Sequence, residues 1–357
     1  MYERALKALE KSHRLRDRDP YGCIYTDLAS NDYLGLAQNK KSLKKVYRLL
    51  DKLPYHSPKA SQLVNGYHPI HQEFERTLAF KNGFEDGMVV GSGFLANIAL
   101  LESLARRGDT LILDEKYHAS GILASKLSAA RVVFFKHNDA NDLLKQLQRV
   151  KKRAVVAVEG VYSMDGDIVN KEIFALADRF DALLVVDEAH SSGVLGKNLL
   201  GVFDHYEITP QPNHIKMGTL GKAYGSYGAY ILASAQIVKY LENRAKAVIY
   251  TTAPSLFDIA LAYFNFHTII KKRKKLRKKV QKRLEFFKSQ SLIIAYETKT
   301  AQNAVKLQQE LKDKGFLVGA IRPPTVQKPM LRVIPNLGVS MDDIKKVVKI
   351  IDDKKDI

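Results

Sequence analysis

Cysteine is nearly missing from this chain of 357 residues: Cys23 stands alone. A single thiol excludes a disulfide framework and fits a reducing cytoplasm. Also missing is any apolar run long and uncharged enough to cross a bilayer, and the first residues, Met1 to Pro20, are charged and basic. We therefore expect a soluble, untargeted cytoplasmic protein with no membrane contact. No internal repeat or low-complexity linker divides the chain. The phosphate loop GxxxxGK followed by Ser or Thr is absent too, and this decides one reading. Asp187-Glu188-Ala189-His190 spells the DEAH box of a helicase, but Gly218 to Ala223 has its glycines too close together and alanine where the magnesium-binding hydroxyl belongs. No second His or Cys stands at ligand spacing beside Asp187 and His190, and His118 does not complete a set, so no metal is expected.

Acids are scarce relative to bases, 38 against 57, for a formal net charge of +19. Much of the excess lies in one run, Lys271 to Arg283, continuing an apolar helical pattern from Ile259. The first reading of such a run is a solvated helix face. The second is attraction of a polyanion, such as coenzyme A phosphates or an acidic carrier protein. Nucleic acid comes third and is not expected, because no aromatics interleave the cations to stack bases.

What is present is enough apolar material, 46% of residues, for a substantial core in two unequal domains. A basic helix is expected over Glu3 to Arg16 and an extended piece over Cys23 to Leu28. A helix over Pro69 to Asn82, stopped by Gly83, leads to an apolar run at Met88 to Val90 and helical periodicity from Phe94 to Arg106. Strand-like runs at 110–113, 131–135, 154–158 and 182–186 then alternate with helical ones at 119–128, 141–150 and 171–180. That alternation predicts an α/β fold with a mostly parallel sheet covered by helices. Past Pro254 come a long helix, 292–296, a helix over 301–314 closed by Gly315, strands at 316–321 and 330–334, and a last helix from Met341, a smaller α+β unit. The expected divisions are 1–40, 41–255 and 256–357.

A parallel sheet places chemistry at the carboxyl ends of its strands. The apolar run 182–186 delivers Asp187 there, and a buried carboxylate needs a cationic partner such as a protonated heterocycle nitrogen. It could instead cap the next helix. Gly91-Ser92-Gly93-Phe94-Leu95-Ala96 follows a strand and opens a helix, a ready anion site, and as GxGxxA with Asp114 beyond it also passes for a dinucleotide fingerprint. Lys222, in the glycine-flanked loop Thr219-Leu220-Gly221-Lys222-Ala223-Tyr224-Gly225, can present an amine for Schiff-base chemistry or be an ordinary loop lysine. A dehydrogenase has no use for Lys222 or Asp187. A phosphate-bearing aldehyde uses all three, which favours pyridoxal 5'-phosphate: phosphate after Gly93, ring nitrogen on Asp187, aldehyde on Lys222.

Ser30 to Leu36, Gly91-Ser92-Gly93-Phe94, Asp114 to Ser120, Glu159 to Asp167, Asp187 to His190 and Thr219 to Lys222 occur in the order seen in the α-oxoamine synthases, which the chain resembles over nearly its whole length. These are fold-type I pyridoxal-phosphate transferases, acting as homodimers with shared sites, that condense an amino acid with an acyl thioester and release carbon dioxide. Ile321 to Val326 with Leu331-Arg332 is most similar to the branch that joins L-alanine to a pimeloyl thioester, on coenzyme A or an acyl carrier protein, in biotin biosynthesis; a glycine-using member is the alternative. The resemblance implies catalytic roles for Lys222, His118 and Asp187. His118 would cover the ring face, His190 would reach the phenolic oxygen, and Ser163, Thr219 and the Gly93-Phe94 backbone would fix ring and phosphate. Thr251 or Thr252 would cross to the phosphate in the second subunit. Arg332, with Asn31, would hold the amino-acid carboxylate, and Arg16, or Arg14, would meet the acyl substrate. Bland roles compete: His118 as a helix cap, Ser163 closing a turn, Arg332 in an inter-strand ion pair. One departure stands out, since Val333 to Asn336 replaces a hydroxyl-rich segment expected after Arg332.

Overall fold

The computed structural model describes residues 2–354 apart from 13, 17, 19 and 23. Cys23, where the sequence pattern starts the first extended piece, lies outside the described residues, as do the chain's two end residues. In chain order the elements are α1 (Glu3–Lys11), β1 (Thr26–Asp27), α2 (Lys40–Leu50), α3 (Pro69–Asn82), β2 (Asp86–Val90), α4 (Gly93–Leu104), β3 (Thr110–Asp114), α5 (Ala119–Leu127), β4 (Arg131–Phe135), α6 (Ala140–Gln148), β5 (Ala154–Glu159), α7 (Glu172–Arg179), β6 (Leu183–Asp187) and α8 (Val202–His205). They continue with β7 (His214–Thr219), β8 (Ala229–Ala233), α9 (Ala235–Arg244), α10 (Lys246–Ile249), α11 (Leu256–Phe287), β9 (Ile294–Glu297), α12 (Ala301–Asp313), β10 (Phe316–Leu317), β11 (Gly319–Ile321), β12 (Met330–Val333) and α13 (Met341–Asp352).

Seven strands form the main sheet in the order β2-β8-β7-β6-β5-β3-β4, parallel except for β8, which runs against both its neighbours. Strands β5, β6 and β8 are apolar at nearly every position because both faces are covered. In β6, Leu184 and Val186 join one buried cluster and Val185 the other. A carboxylate at the end of such a strand is therefore held by buried main chain. The registers pair Glu159 with Asp187 and Asp187 with Met217, and set Val90 and Thr219 on either side of Ala229. The strand-end loops that carry Ser92, His118, Ser163, His190 and Lys222 thus gather along one edge of the sheet.

The second unit packs α12 and α13 on the antiparallel sheet β11-β12-β9, around Leu307, Leu311, Leu331, Val333, Ile344 and Val347. The run 316–321 does not form one strand. Phe316–Leu317 pairs with β1 while Gly319–Ile321 pairs with β12, so the N-terminal segment is stitched to the small unit. The first helix stops at Lys11, five residues short of the expected Arg16, where Ser12 Oγ donates to Leu9 O; α1 buries no side chain that would extend it. Helix α2 has no counterpart among the sequence expectations, although Asn39 caps it and its Val46 and Leu50 pack on Leu256 and Ala260 of α11. Helix α11 serves both units: Ile259, Ala262, Phe266 and Ile269 belong to the large core, and Phe287 packs on the small one. Its basic run exposes Lys271, Lys272, Lys274, Lys275, Arg277, Lys278, Lys279 and Lys282, while Arg283 turns inward and donates to Val339 O at 2.8 Å. Among the described residues no helix is long and apolar enough to cross a membrane.

The Lys222 loop is closed by Gly225, whose N donates to Lys222 O at 2.9 Å. Gly225 has φ +58°, and a Cβ there would lie 2.4 Å from Ala37 N and 2.5 Å from Leu36 C. Both atoms are backbone and cannot swing away. Gly225→Ala is expected to destabilise the fold by about 2 to 4 kcal/mol, from the left-handed conformation plus the clash; an unchanged midpoint in urea unfolding contradicts this.

Candidate active site

Lys222 stands half-buried in the loop after β7, its Nζ 2.8 Å from His190 Nε2. On its far side His190 Nδ1 lies 2.6 Å from the hydroxyl of the buried Tyr33, which reaches Asn31 Oδ1 at 3.3 Å. Asn31 Oδ1 also accepts from Arg332 Nη1 and Nη2, both at 3.1 Å. An ammonium only donates, so Nε2 accepts and the neutral imidazole carries its proton on Nδ1, facing the tyrosine oxygen. Burial, reinforced by the charges of Lys222 and Arg332, holds the His190 pKa well below its ordinary value and keeps that tautomer neutral. Burial likewise pulls Lys222 down to about 8, against the pull of Asp187 and Glu159 and with the help of Arg332.

Asp187 is buried at the end of β6; Oδ2 accepts from Asn97 Nδ2 at 3.0 Å and Oδ1 from Ala189 N at 3.0 Å. No helix opens after Asp187, so it caps none; Oδ1 instead holds the turn at Ala189. No ion pair to Asp187 occurs among the described residues, so a protonated ring nitrogen has an acceptor to meet. Asn97 is fixed in turn by Tyr117, whose hydroxyl donates to its Oδ1 at 2.7 Å, and by Ser120 Oγ at 2.9 Å. His118 is the N-cap of α5, accepting from Ser120 N at 3.2 Å, so it caps a helix while its ring stays exposed beside the site. Its surroundings and Lys222 outweigh Asp187 and lower its pKa. Glu159, paired with Asp187, is buried with Oε1 lacking a hydrogen-bond partner, and burial together with Asp187 drives its pKa well above the usual carboxyl value.

Gly93 opens α4 behind the N-cap Ser92, whose Oγ accepts from Leu95 N at 3.2 Å. A Cβ on Gly93 would meet nothing closer than Thr219 Cβ at 3.9 Å, leaving the helix terminus clear for an anion. Phe94 is exposed beside it. Thr219 Oγ1 bridges Gly228 O, 3.1 Å, and Gly221 N, 3.2 Å. Ser163 is buried, and its carbonyl accepts from Arg332 Nε at 2.8 Å. Arg332, although in a strand, makes no inter-strand ion pair among the described residues; its guanidinium is held by Ser163 O and Asn31 instead. These residues fit pyridoxal phosphate by the chemistry of their donors: an amine, a buried carboxylate free of cations, and a helix N-terminus.

Other candidates lie apart. Thr251 and Thr252 precede α11 in a loop tied down by Ala253 N to Ala60 O at 3.0 Å and by His71 Nε2 at 2.9 Å from Pro254 O. Arg16 Nη2 donates to Thr325 Oγ1 at 3.2 Å in an exposed setting, which brings the N-terminal segment to 322–326; Arg14 makes a backbone bond to Leu9 O. The departure after Arg332 has a structural use, since Asn336 Nδ2 donates to Asp27 O at 2.7 Å. Asp114 does not await a ribose, because four donors occupy its oxygens. His137, Asp165 and Asp167 come within ligand distance of one another, but both ring nitrogens of His137 face carboxylates and no lone pair remains for a metal.

Tyr33, Asn97 and Glu159 were not singled out from sequence. Tyr33 and Glu159 lie inside quoted motifs. Asn97 carried its own signal, a lone polar residue in the apolar stretch of α4.

The family described as aminotransferase class I and II matches residues 24–351. An 8-amino-7-oxononanoate synthase of Helicobacter pylori is 42% identical over 356 residues, covering 97% of this chain and 95% of that protein. Among solved structures, SPT with a PLP internal aldimine superposes with a TM-score of 0.85 at 26% identity, over 91% of this chain and 86% of that one. The 8-amino-7-oxononanoate synthase of Francisella tularensis gives 0.77 at 27%, over 92% and 97%. A match across nine-tenths of the sequence, joined to a loop lysine that feels the charge of a strand-end aspartate, makes this chain a member of the class I and II aminotransferase family of pyridoxal-phosphate-dependent enzymes.

Proposed function

We propose that the chain condenses L-alanine with a pimeloyl thioester, releasing carbon dioxide and the free thiol and forming 8-amino-7-oxononanoate. The observation that carries this reading is the continuous chain Lys222–His190–Tyr33–Asn31–Arg332, which joins an amine of lowered pKa to a buried guanidinium. The high identity to a synthase of that name supports the choice of substrates.

The cofactor supplies an aldehyde that joins the amino group and an electron-withdrawing ring. Asp187 would accept the ring nitrogen's proton, the amides from Gly93 would take the phosphate together with the Thr219 hydroxyl once it turns from Gly228 O, Ser163 and His190 would steady the ring, and His118 would cover its face. Arg332 has both Nη groups on one acceptor, so N–H capacity remains to bind the carboxylate of the amino acid. That grip orients the Cα–H bond toward Lys222. As a free amine Lys222 Nζ would take the Cα proton and later return one to the product carbon. His190 Nε2 accepts from Nζ and directs it. The carboxylate lost as carbon dioxide is the group that Arg332 oriented. Arg16, held on Thr325, or Arg14, would meet the acyl substrate. Thr251 or Thr252 would reach the phosphate site of a second copy, so the working form would be a dimer with shared sites.

Only the neutral amine captures the aldehyde. With the Lys222 pKa at about 8, the rate at which apo-protein takes up cofactor is expected to climb about tenfold per pH unit below 8 and level off above it; a rise continuing past pH 10 contradicts the assignment. Lys222→Ala is expected to lose the borohydride-fixable attachment and at least about a thousandfold in turnover. Asp187→Asn should still bind cofactor and lose about a hundredfold in kcat, because a neutral amide does not hold the ring nitrogen protonated. Substrate choice is read by titrating holoenzyme with alanine, glycine and serine while following its absorbance, then adding pimeloyl thioesters of coenzyme A or carrier protein. Alanine is expected to give the largest spectral response and the amino ketone; a preference for glycine or serine replaces the reading with another member of the family.

A further inference from the structure

One hydrogen-bonded hub lies behind the site and takes no part in the chemistry above. His137, just past the end of β4, has Nδ1 3.0 Å from Asp114 Oδ1 and Nε2 3.0 Å from Asp167 Oδ2. Carboxylate oxygens accept, so both ring nitrogens donate and the ring is an imidazolium. Its edge meets Tyr162 at 4.4 Å between centroids. The same two carboxylates tie down three strand-end loops. Asp114 accepts from Lys116 N at 2.8 Å, next to His118, from Asn138 N at 2.7 Å, and from the Tyr162 hydroxyl at 2.8 Å. Asp167 accepts from Asn138 Nδ2 at 3.0 Å, and its carbonyl accepts from Tyr162 N at 3.0 Å. Tyr162 immediately precedes Ser163, whose carbonyl holds Arg332 Nε.

We propose that His137 is a positioning residue: by bridging Asp114 and Asp167 from both ring nitrogens it locks the 162–167 loop, and through Ser163 O it sets the Arg332 guanidinium for carboxylate binding. The carboxylate role of Arg332 rests on the function proposed above; the locking of the loop does not. Burial pulls the His137 pKa down, but the hydrogen bonds and charges of Asp114 and Asp167 outweigh it and set the value at about 9. A pKa raised in the folded state gives stability that is full below the ordinary histidine value and fades as pH rises through about 9. Other titratable groups around the ring are Glu115, whose Oε1 accepts from His137 N, Tyr162, and the ion pair of Lys116 with Asp165.

The test uses His137→Gln and His137→Phe as purified holoenzymes and as apo-proteins. Gln offers hydrogen bonds without charge, and Phe keeps the ring against Tyr162. We expect KM for the amino acid to rise about tenfold with kcat within about threefold of wild type, since the grip is misplaced while Lys222 and Asp187 are untouched. In apo-protein, amide exchange of 163–167 should lose protection in both variants. Wild-type protection, corrected for intrinsic exchange, should fall as pH passes about 9, and neither variant should show that step. Variants that melt lower yet keep wild-type KM and loop protection overturn the proposal. Loss of protection and of the pH step with KM unchanged upholds the latch and sinks the reading of Arg332 as carboxylate ligand, so the two failures are told apart.

Discussion

The contact between Lys222 Nζ and His190 Nε2 holds only while the imidazole is neutral. Two cations in van der Waals range repel by about 4 kcal/mol at an effective dielectric near 20. Burial of His190 prevents that, and the Tyr33 hydroxyl on its other side fixes which nitrogen carries the proton. From there the relay runs to Asn31 and Arg332, so the amine and the guanidinium share one rigid frame although they arise from different sheets. The fit between the two units of the chain therefore bears directly on the angle at which a substrate would be held. The stitching of β1 to β10, and Asn336 to Asp27, brace the segment that carries Asn31 and Tyr33.

Much of this was legible where local pattern and global fold agree. Helix α3 runs from Pro69 to Asn82 as its Pro start and left-handed Gly83 dictate, and β4 has the expected bounds. Buried parallel strands read as continuous apolar runs, which is why Asp187 could be placed at a strand end before any coordinates. Local pattern fails where pairing is remote. Nothing in Phe316 to Ile321 says that its first half will leave for β1, and the reversed direction of β8 follows from the loop Leu220 to Gly228, closed by Leu220 N on Gly228 O, that returns the chain beside β7. Arg332 illustrates both sides: its motif marked it as functional, yet its partners Asn31 and Ser163 lie 301 and 169 residues away. Of the bland alternatives, the one for His118 held, since it does cap α5.

Three strand-end acids, Asp114, Glu159 and Asp187, stand on the adjacent strands β3, β5 and β6, and each answers the cost of burial differently. Asp114 is surrounded by four donors including an imidazolium, which override burial and hold its pKa below the usual carboxylate value. Glu159 takes the opposite course: with a single amide for one oxygen, burial and the neighbouring Asp187 push its pKa well above the usual carboxyl value. Asp187 has two neutral donors and, among the described residues, no ion-pair partner, and it lies where the Lys222 loop and α4 meet. Removing a donor from Asp114 would loosen loops; adding a cation beside Asp187 would fill a ligand's place. The difference in their partners, not in their residue type or strand position, separates a carboxylate that builds the site from one that a protonated heterocycle can complete.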